Sequence, residues 1–323
     1  MQQIVLNRPG EFEARDVAVP VADEQSALVR VHRIGVCGTD LHAFAGRQPF
    51  FEYPRVLGHE LGVEVLEVAD NDRGIQVGDR CAIEPYDYCG SCHACGLGKT
   101  NCCDKLQVFG VHTDGGMQPI FSVPIHLLHK STQLSLEQLA LVETLGIGAH
   151  AVRRSQLTEG ETALVVGAGP IGLSVIQFAL ATGAHVRVLE MNPRRREFVS
   201  QFNVETLAQP DDQLTEVVFD ATGNKRAMEA SFQYVHPGGR LVFVGLVLDS
   251  VTFEDPHLHR REITLLASRN SAGLFPRIIG MIEEGVIDTG PWITDRLSLG
   301  SVPQRFAGLP ARPELAKAMI EVD

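Results

Sequence analysis

Five of the seven cysteines of this 323-residue chain fall within one stretch, EPYDYCGSCHACGLGKTNCC, which runs from Glu84 to Cys103. Four of them have the spacing C-x2-C-x2-C-x7-C, and these are Cys89, Cys92, Cys95 and Cys103. Four thiolates complete a tetrahedral zinc shell with no position left for water or substrate. We therefore predict a structural zinc that holds this loop together, with Cys102 as an alternative to Cys103 that spacing alone leaves open.

A second set of metal-binding residue types lies outside that loop. Cys37 in GVCGTDLHAFAG and His59 in VLGHELGVEV supply a thiolate and an imidazole. Glu60 follows His59 directly, and Glu143 in LVETLGIGAHAV offers a more distant carboxylate. Three protein ligands and one open position are typical of a catalytic zinc, so these residues are candidates for a metal that meets substrate.

A third motif predicts a nucleotide site. From Thr162 the sequence TALVVGAGPIGLSVIQFALATGAHVRVLE indicates a strand, a G-x-G-x-x-G turn, a helix and a second strand that ends at Glu190. The residues placed to line the turn are Gly167, Gly169, Pro170, Ile171 and Gly172. Such a turn brings pyrophosphate to a helix N-terminus, and an acidic residue after the second strand accepts hydrogen bonds from the adenosine ribose. Glu190 would repel a 2′-phosphate and so favours NAD over NADP, while Arg195, in the arginine run just behind it, is a further candidate contact.

Composition limits the kinds of partner. The net charge of −12 argues against nucleic acid or an anionic membrane, because both require concentrated Lys and Arg. The most apolar stretch, 162–186, is interrupted by glycines near its start and is therefore a poor membrane span. The first residues have no basic segment followed by an apolar one, so we expect the cytoplasm, where clustered cysteines bind metal rather than form disulfides.

These residues resemble the zinc-dependent medium-chain dehydrogenase/reductase family, which contains alcohol, sorbitol and threonine dehydrogenases. The similarity covers nearly the whole chain, through VCGTDLH, GHE, the four-cysteine loop, GAGPIG, FDATG and HPGGRLVFVGL to AKAMIEV. The stretches GRQPFFEYPRVLGHE, KTNCCDKLQVFGVHTDGG, AHAVRRS, DATGNKRAM and ASRNS look most like the branch that oxidises L-gulonate and L-galactonate at C5.

The resemblance implies an α/β fold with a GroES-like β catalytic domain and a Rossmann coenzyme domain built on a doubly wound parallel sheet. We expect the catalytic domain at 1–145, the NAD-binding domain at 146–270 and a return to the catalytic domain at 271–323. Strand and helix patterns alternate from 146 to 266, whereas the earlier residues are rich in strands and turns, in agreement with that order. The cleft between the domains is the expected place for the chemistry.

Carried over residue by residue, the resemblance makes Cys37, His59 and Glu60 residues of a catalytic zinc. Glu143 stands where many alcohol dehydrogenases have a second cysteine, and a carboxylate there is the polyol dehydrogenase arrangement. Which of Glu60 and Glu143 touches the metal stays open. Asp40 is expected to orient His59 through its other ring nitrogen.

The same resemblance suggests a path for the proton that leaves the substrate hydroxyl. The Thr39 hydroxyl would accept it and pass it through the nicotinamide ribose to His42, whose ordinary pKa near ~6.5 suits transfer to water. Arg269 in ASRNS is expected to approach the cofactor. Arg47 in GRQPFF is our candidate to bind a substrate carboxylate, with Phe50 and Phe51 as candidate pocket walls.

The expected function is therefore the transfer of hydride to NAD from a secondary alcohol of a sugar acid or polyol, with one catalytic and one structural zinc, in a homodimer or homotetramer. A sorbitol-type polyol dehydrogenase or an L-threonine dehydrogenase is the alternative enzyme. A non-catalytic NAD-binding sensor is the alternative from another class, but a sensor has no need of the proton path through Thr39 and His42. Two departures from the family pattern, at Met117–Phe121 and in the short segment Phe202–Thr215, affect no proposed ligand.

Overall fold

The computed structural model of the protein describes residues 1–49, 51–312 and 316–322, and the candidate pocket residue Phe50 lies outside them. Contacts between Cα atoms divide the chain into two units. The first unit consists of Met1–Glu143, Phe275–Gly285 and Thr289–Asp323, and the second of Thr144–Leu274 and Val286–Asp288. The division into domains at 1–145, 146–270 and 271–323 stays our prediction.

The β-strands, in chain order, are β1 (Gln2–Arg8), β2 (Glu11–Asp16), β3 (Ser26–Gly35), β4 (Arg55–Val56), β5 (Glu60–Val68), β6 (Arg80–Ile83), β7 (Tyr86–Asp87), β8 (Gln107–Val108), β9 (Ile120–Pro124), β10 (Leu128–Lys130), β11 (Thr162–Val166), β12 (His185–Leu189), β13 (Glu205–Leu207), β14 (Thr215–Asp220), β15 (Val235–Phe243), β16 (Thr264–Ala267), β17 (Ile293–Ser298) and β18 (Lys317–Glu321). The α-helices are α1 (Gly38–Phe44), α2 (His93–Gly96), α3 (Leu136–Ser155), α4 (Pro170–Ala181), α5 (Pro193–Ser200), α6 (Lys225–Ser231), α7 (Asp255–Arg260), α8 (Phe275–Glu283) and α9 (Val302–Arg305). Short 3-10 helices occupy Thr100–Cys102, Ile125–Leu127, Phe232–Tyr234, Leu299–Ser301 and Phe306–Ala311.

The first unit is built mainly on β-sheets. Its largest sheet has the strand order β10-β6-β5-β3-β18-β17, and β9 also pairs with β3. Strand β18 pairs antiparallel with β3 and parallel with β17, so a strand from the end of the sequence lies inside the sheet. A smaller sheet, β2-β1-β4, and the two-stranded ladder β7-β8 complete this unit. The ladder stands at the base of the four-cysteine loop.

The departure at Met117–Phe121 does not disturb the sheet. Pro119, which has no N–H to donate, lies just before β9 rather than within it. Its carbonyl oxygen accepts a hydrogen bond from the Val31 N–H at 2.9 Å. The proline therefore stands where only its acceptor is used.

The second unit contains a parallel six-stranded sheet with the order β13-β12-β11-β14-β15-β16. Its central strands are apolar along their length, and four of the five residues of β11 are buried. A continuous apolar run of this kind is typical of a strand that is covered on both faces. Within the described ranges no α-helix stands between β13 and β14, which accounts for the shortness of Phe202–Thr215.

A search of the described helices finds none that combines the length and the apolar character needed to cross a membrane.

Candidate active site and metal centres

Cys37, His59 and Glu60 come together within the first unit. Cys37 follows β3 and is the N-cap residue of α1, while His59 and Glu60 stand where β5 begins. Their sulfur, imidazole nitrogen and carboxylate oxygen all lie within 4.8 Å of one another. His59 and Glu60 are buried, whereas Cys37 is partly exposed. We call these three residues the Cys37 group.

Glycine at position 35 is required for this arrangement. Gly35 lies opposite Glu60 in the β3–β5 pairing. A Cβ atom at position 35 would collide with the Glu60 carboxylate oxygen Oε2. The close approach of this backbone to the carboxylate thus depends on the absence of a side chain.

The Cys37 group fits a zinc ion. Three buried atoms around it, Glu60 Oε2, His59 Nδ1 and Asp40 Oδ1, find no hydrogen-bond partner among the described residues. An unsatisfied buried acceptor costs about 1–3 kcal/mol, and a cation close to the carboxylates would offset that cost. Thiolate, imidazole and carboxylate are the donor types that zinc binds in proteins.

The electrostatic field at the Cys37 group also favours a cation. Burial alone would lower the pKa of His59, but the neighbouring Asp40 and Cys37 raise it well above its usual range. Burial raises the pKa of Asp40, although His59 opposes that change. Surroundings that stabilise a charged imidazole in a buried position will also attract a metal cation.

Asp40 is fully buried beside His59. Its Oδ2 accepts a hydrogen bond from the Cys37 N–H at 2.9 Å and so fixes the start of α1. Its Oδ1 lies 3.7 Å from His59 Nδ1, which exceeds hydrogen-bond length. The two side chains interact as charges at this distance, and the orienting role of Asp40 stays a prediction.

Lys317 is a residue of this site that sequence reasoning missed. It is 2% exposed, and its Nζ donates to Glu60 Oε1 at 2.5 Å and to the Val36 carbonyl at 3.3 Å. Burial alone would lower the pKa of Lys317, but Glu60 and Cys37 raise it, so the ammonium stays charged. A lysine directly before the apolar residues Ala318, Met319 and Ile320 was the available signal, because charged residues are seldom fully buried without a partner.

Glu143 stands apart from the three atoms of the Cys37 group. It is buried on α3, and its Oε1 accepts a hydrogen bond from the Tyr86 hydroxyl, a partner that the sequence did not indicate. Burial raises the pKa of Glu143, against the attraction of His59 and the hydrogen bond from Tyr86. Burial and the adjacent Glu143 raise the pKa of Tyr86 well above its usual range, so the phenol stays protonated and donates. One Glu143 oxygen is therefore held by a phenol.

The four-cysteine loop forms a second metal-binding group in the first unit. The sulfur atoms of its four proposed ligands all lie within 4.8 Å of one another, and the four are Cys89, Cys92, Cys95 and Cys103. The Cys92–Cys95 and Cys89–Cys103 sulfur distances are 3.5 Å and 3.4 Å, far longer than the ~2.05 Å of a disulfide. Cys102 is exposed and is not part of this group. The structure thus brings Cys103, rather than Cys102, to the other three thiols.

Hydrogen bonds in the loop suit thiolates. The N–H groups of Cys89 and Lys105 both donate to Cys103 Sγ at 3.3 Å. Donation from Ser91 lowers the pKa of Cys89 to about 6. Desolvation and hydrogen bonding to Cys92 raise the pKa of Cys95 to about 12, so this thiol loses its proton only when a cation compensates the charge. The loop therefore fits a four-thiolate zinc.

The predicted nucleotide turn lies in the second unit, between β11 and α4. Gly167 has a positive φ of 92°, and Gly169 is the N-cap residue of α4, which begins at Pro170 and Ile171. A Cβ atom at Gly172 would collide with the Gly167 carbonyl oxygen. These features leave the backbone N–H groups at the helix N-terminus open to a phosphate.

Glu190 directly follows β12 and is buried. Its two carboxylate oxygens accept hydrogen bonds from the N–H groups of Ala168 and Asn192, each at 2.8 Å. The carboxylate thus ties the glycine turn to the end of β12, and its remaining lone pairs are available to a ribose.

The two arginine candidates lie elsewhere in the second unit. Arg195 is partly buried in the first turn of α5, and its Nε has no hydrogen-bond partner in the described part of the chain. Arg269 is exposed just after β16. Their contacts with a cofactor stay predictions.

Thr39 and His42 stand three residues apart on α1, a spacing that places them on one face of the helix. Thr39 is partly buried and His42 is exposed. Partial burial and the positive charge of Arg47 lower the pKa of His42. The imidazole is therefore neutral at pH 7 and able to accept a proton.

Comparison with known proteins places the chain in a family. The alcohol dehydrogenase GroES-like domain matches residues 23–133, and the zinc-binding dehydrogenase domain matches residues 170–284. L-galactonate-5-dehydrogenase of Escherichia coli is 37% identical over 95% of this chain and 94% of that protein. The 2-dehydro-3-deoxy-L-galactonate 5-dehydrogenase of Pseudoalteromonas atlantica is 33% identical over 89% of each chain.

Solved structures of dehydrogenases share the fold of this chain. An alcohol dehydrogenase from Escherichia coli complexed with NADH has a TM-score of 0.94 and 26% identity, with 99% of each chain covered. A zinc-binding dehydrogenase from Sinorhizobium meliloti bound to NADP has a TM-score of 0.93 and 26% identity, covering 99% of this chain and 98% of that one.

An oxidoreductase that combines zinc with a nicotinamide dinucleotide is defined by three features together: the fold, the two metal-binding groups and the nucleotide turn. The chain belongs to the zinc-dependent medium-chain dehydrogenase/reductase family. The predicted α/β fold class, the enzyme class and the zinc and nicotinamide cofactors are confirmed.

Proposed function

We propose that this dehydrogenase oxidises the C5 hydroxyl of a sugar acid such as L-gulonate or L-galactonate to the ketone, with NAD as hydride acceptor. The observation that carries the proposal is the 37% identity to an L-galactonate-5-dehydrogenase over 95% of the chain. The buried, cation-attracting Cys37 group supplies the matching chemistry.

The metal roles follow from the donor sets. Cys37 and His59 would hold the catalytic zinc, with Glu60 and Glu143 as the two candidate carboxylates, and the four-cysteine loop would hold the structural zinc. Bound zinc supplies Lewis acidity that favours loss of the substrate hydroxyl proton, and NAD accepts the hydride. In this arrangement Lys317 balances the charge of Glu60.

The proton path uses residues of α1. Thr39 accepts the hydroxyl proton, and His42 delivers it to water. His42 suits that step because its lowered pKa keeps the imidazole neutral at pH 7 and able to accept, and because it is exposed and able to release.

A sugar acid carries a negative charge, which this acidic chain repels overall. A local cation must therefore offset the field, and Arg47 is our candidate. Arg47 is exposed next to α1, close enough to His42 to affect its pKa, and no hydrogen bond or ion pair of its side chain occurs among the described residues. A guanidinium of this kind is available to bind a carboxylate in bidentate fashion.

The preference for NAD rests on Glu190. Its buried carboxylate would receive ribose hydroxyls and repel a 2′-phosphate. Relatives bound to NADH and to NADP have similar folds, so the residue, rather than the fold, carries this preference.

A homodimer or homotetramer in the cytoplasm completes the proposal. Strand β16 is the outer strand of the six-stranded sheet, and Leu265 on it is 40% exposed, which offers an edge to a second copy. All seven cysteines are free, as a reducing compartment would keep them. Sedimentation of the purified enzyme measures the oligomeric state directly.

The test is comparative kinetics with the purified enzyme. We expect kcat/KM to be greater for L-gulonate and L-galactonate than for sorbitol, L-threonine or ethanol, and greater with NAD than with NADP. Arg47→Ala should lower kcat/KM for the acids about tenfold or more and leave the value for sorbitol nearly unchanged, because only the acids carry a carboxylate. Arg30→Ala, at another exposed arginine of the first unit, is the control.

If sorbitol or threonine is the better substrate, the sugar-acid assignment is wrong and the zinc dehydrogenase remains. If Arg47→Ala changes nothing for the acids, Arg47 does not bind the carboxylate.

A further inference from the structure

Tyr86 connects the two metal-binding groups of the first unit. Strand β7, which contains it, immediately precedes the four-cysteine loop, and β8 follows that loop. Tyr86 pairs with Val108 and Asp87 with Gln107, so the two ends of the loop meet in this ladder. Tyr86 therefore lies at the base of the loop, and its backbone position depends on how the loop closes.

The ring of Tyr86 is packed on the loop itself. It is 4% exposed and belongs to a small apolar cluster with Cys103, Leu106, Val108 and Val111. The side chains of Cys89, Cys92 and Cys95 pack against the same cluster. The closed set of thiols is thus part of the surface that holds the ring in place.

The hydroxyl of Tyr86 leaves that cluster and donates to Glu143, which is 57 residues away in sequence. Glu143 is buried on α3, and it is one of the two candidate carboxylates for the catalytic metal under the proposed function. A single side chain thereby joins the packing of the loop to a carboxylate that the proposed function assigns to the catalytic metal.

We propose that the four-cysteine loop positions Glu143 at the catalytic metal through Tyr86, which acts as a positioning residue. The proposal rests on the two metal sites assigned under the proposed function. With the loop closed, the hydrogen bond from the phenol to Oε1 fixes the rotation of the Glu143 carboxylate and so would set which of its lone pairs is offered to the metal. With the loop open, Tyr86 loses its packing and Glu143 is free to rotate.

The metal is then held less well, because partners that orient a ligand typically change metal affinity about 10–100-fold. The loop metal thus contributes to the reaction centre as well as to the stability of the loop.

The test uses holoenzyme that contains zinc in the four-cysteine loop and Co²⁺ in the Cys37 group. Visible absorption measures the rate at which Co²⁺ is released to a chelator. Tyr86→Phe removes one hydroxyl and keeps the ring, and we expect release to become at least about tenfold faster. The Co²⁺ spectrum should also change, since the Glu143 carboxylate is then free to rotate. Tyr88→Phe is the matched control, because Tyr88 packs in the same segment but contacts the His126 ring. The Tyr88→Phe variant should release Co²⁺ at a rate within about twofold of that of the unmodified protein.

A double-mutant cycle tests the connection. Cys92→Ser opens the loop and should also speed Co²⁺ release, with Cys102→Ser, at the exposed cysteine, as control. If Tyr86 is the link, Cys92→Ser combined with Tyr86→Phe releases Co²⁺ no faster than Cys92→Ser alone. Multiplicative effects, or unchanged release in Tyr86→Phe, overturn the proposal.

Should Cys92→Ser fail to fold, the comparison of Tyr86→Phe with Tyr88→Phe decides alone. Failure of the two metal assignments made under the proposed function is distinct, because unmodified protein would then bind fewer than two metal ions per chain, and failure of the sugar-acid assignment would change the substrate preference alone.

Discussion

Replacement of Lys317 by methionine tests whether the buried ion pair supports the candidate metal site. The substitution keeps an unbranched side chain of similar length and removes the charge. Lys317 is 2% exposed, and its ammonium is 2.5 Å from Glu60, which is fully buried. Lys317→Met therefore leaves a carboxylate inside the protein without its cation.

The expected cost follows from that burial. Removing one partner of a buried ion pair typically destabilises a protein by about 3–5 kcal/mol. At about 2–4 °C per kcal/mol for a unit of this size, the melting temperature should fall by about 6–20 °C in protein stripped of metal. With zinc restored the fall should be smaller, because the cation would partly replace the missing charge beside Glu60. The double variant Lys317→Met with Glu60→Gln should recover most of the loss.

The assay is thermal unfolding followed by tryptophan fluorescence. The chain has one tryptophan, Trp292, which is fully buried and belongs to the first unit, so its signal reports on the unit that contains the pair. Lys130→Met is the control, because Lys130 pairs with Asp79 at 3.2 Å but is 41% exposed. A surface pair of this kind contributes about 0–1 kcal/mol. A melting temperature for metal-free Lys317→Met no lower than that of Lys130→Met would refute the reasoning.

Three further predictions concern the cofactors and the proton path. Arg47→Ala removes a positive charge that lowers the pKa of His42, so the pKa of His42 should rise. The acid limb of the kcat/KM profile should then move to higher pH, which a pH titration of activity would show. An unmoved limb would exclude His42 as the proton carrier. Cys92→Ser should reduce the zinc content from two ions to one per chain by metal analysis, whereas Cys102→Ser should retain both. Glu190→Gln should reduce the ratio of kcat/KM for NAD to kcat/KM for NADP by about 10–100-fold. The reason is the loss of a charge-assisted hydrogen bond between the carboxylate and a ribose hydroxyl, which contributes about 1.5–3 kcal/mol. A constant ratio would exclude Glu190 from coenzyme selection.

The sequence predicted best those features whose residues lie close together along the chain. The four cysteines lie within fifteen residues, so the loop has few ways to arrange them, and the glycine turn is defined by its strand, helix and spacing. The structure adds what spacing could not decide, namely that Cys103 and not Cys102 joins the other thiols.

Contacts between distant residues escaped the sequence. Lys317 and Glu60 are 257 residues apart, and Tyr86 and Glu143 are 57 apart, so nothing local indicates either contact. Each contact depends on tertiary packing: β18 must pair with β3 before Lys317 can reach Glu60, and α3 must pack near β7 before Glu143 can meet Tyr86. The question of how Glu143 meets the metal stayed open for the same reason, because a hydroxyl from another part of the chain holds one of its oxygens.

The place of β18 inside the large sheet has a consequence for biosynthesis. This strand pairs with β3 and β17, yet it is translated after the whole of the second unit. At about 5–20 residues per second, the ribosome needs roughly 13–50 s to travel from Glu60 to Lys317. Until then the sheet has a gap beside β3, and Glu60 has no ammonium partner. The nascent first unit therefore keeps an unpaired strand edge during the time in which the second unit can fold, so the large sheet is completed last.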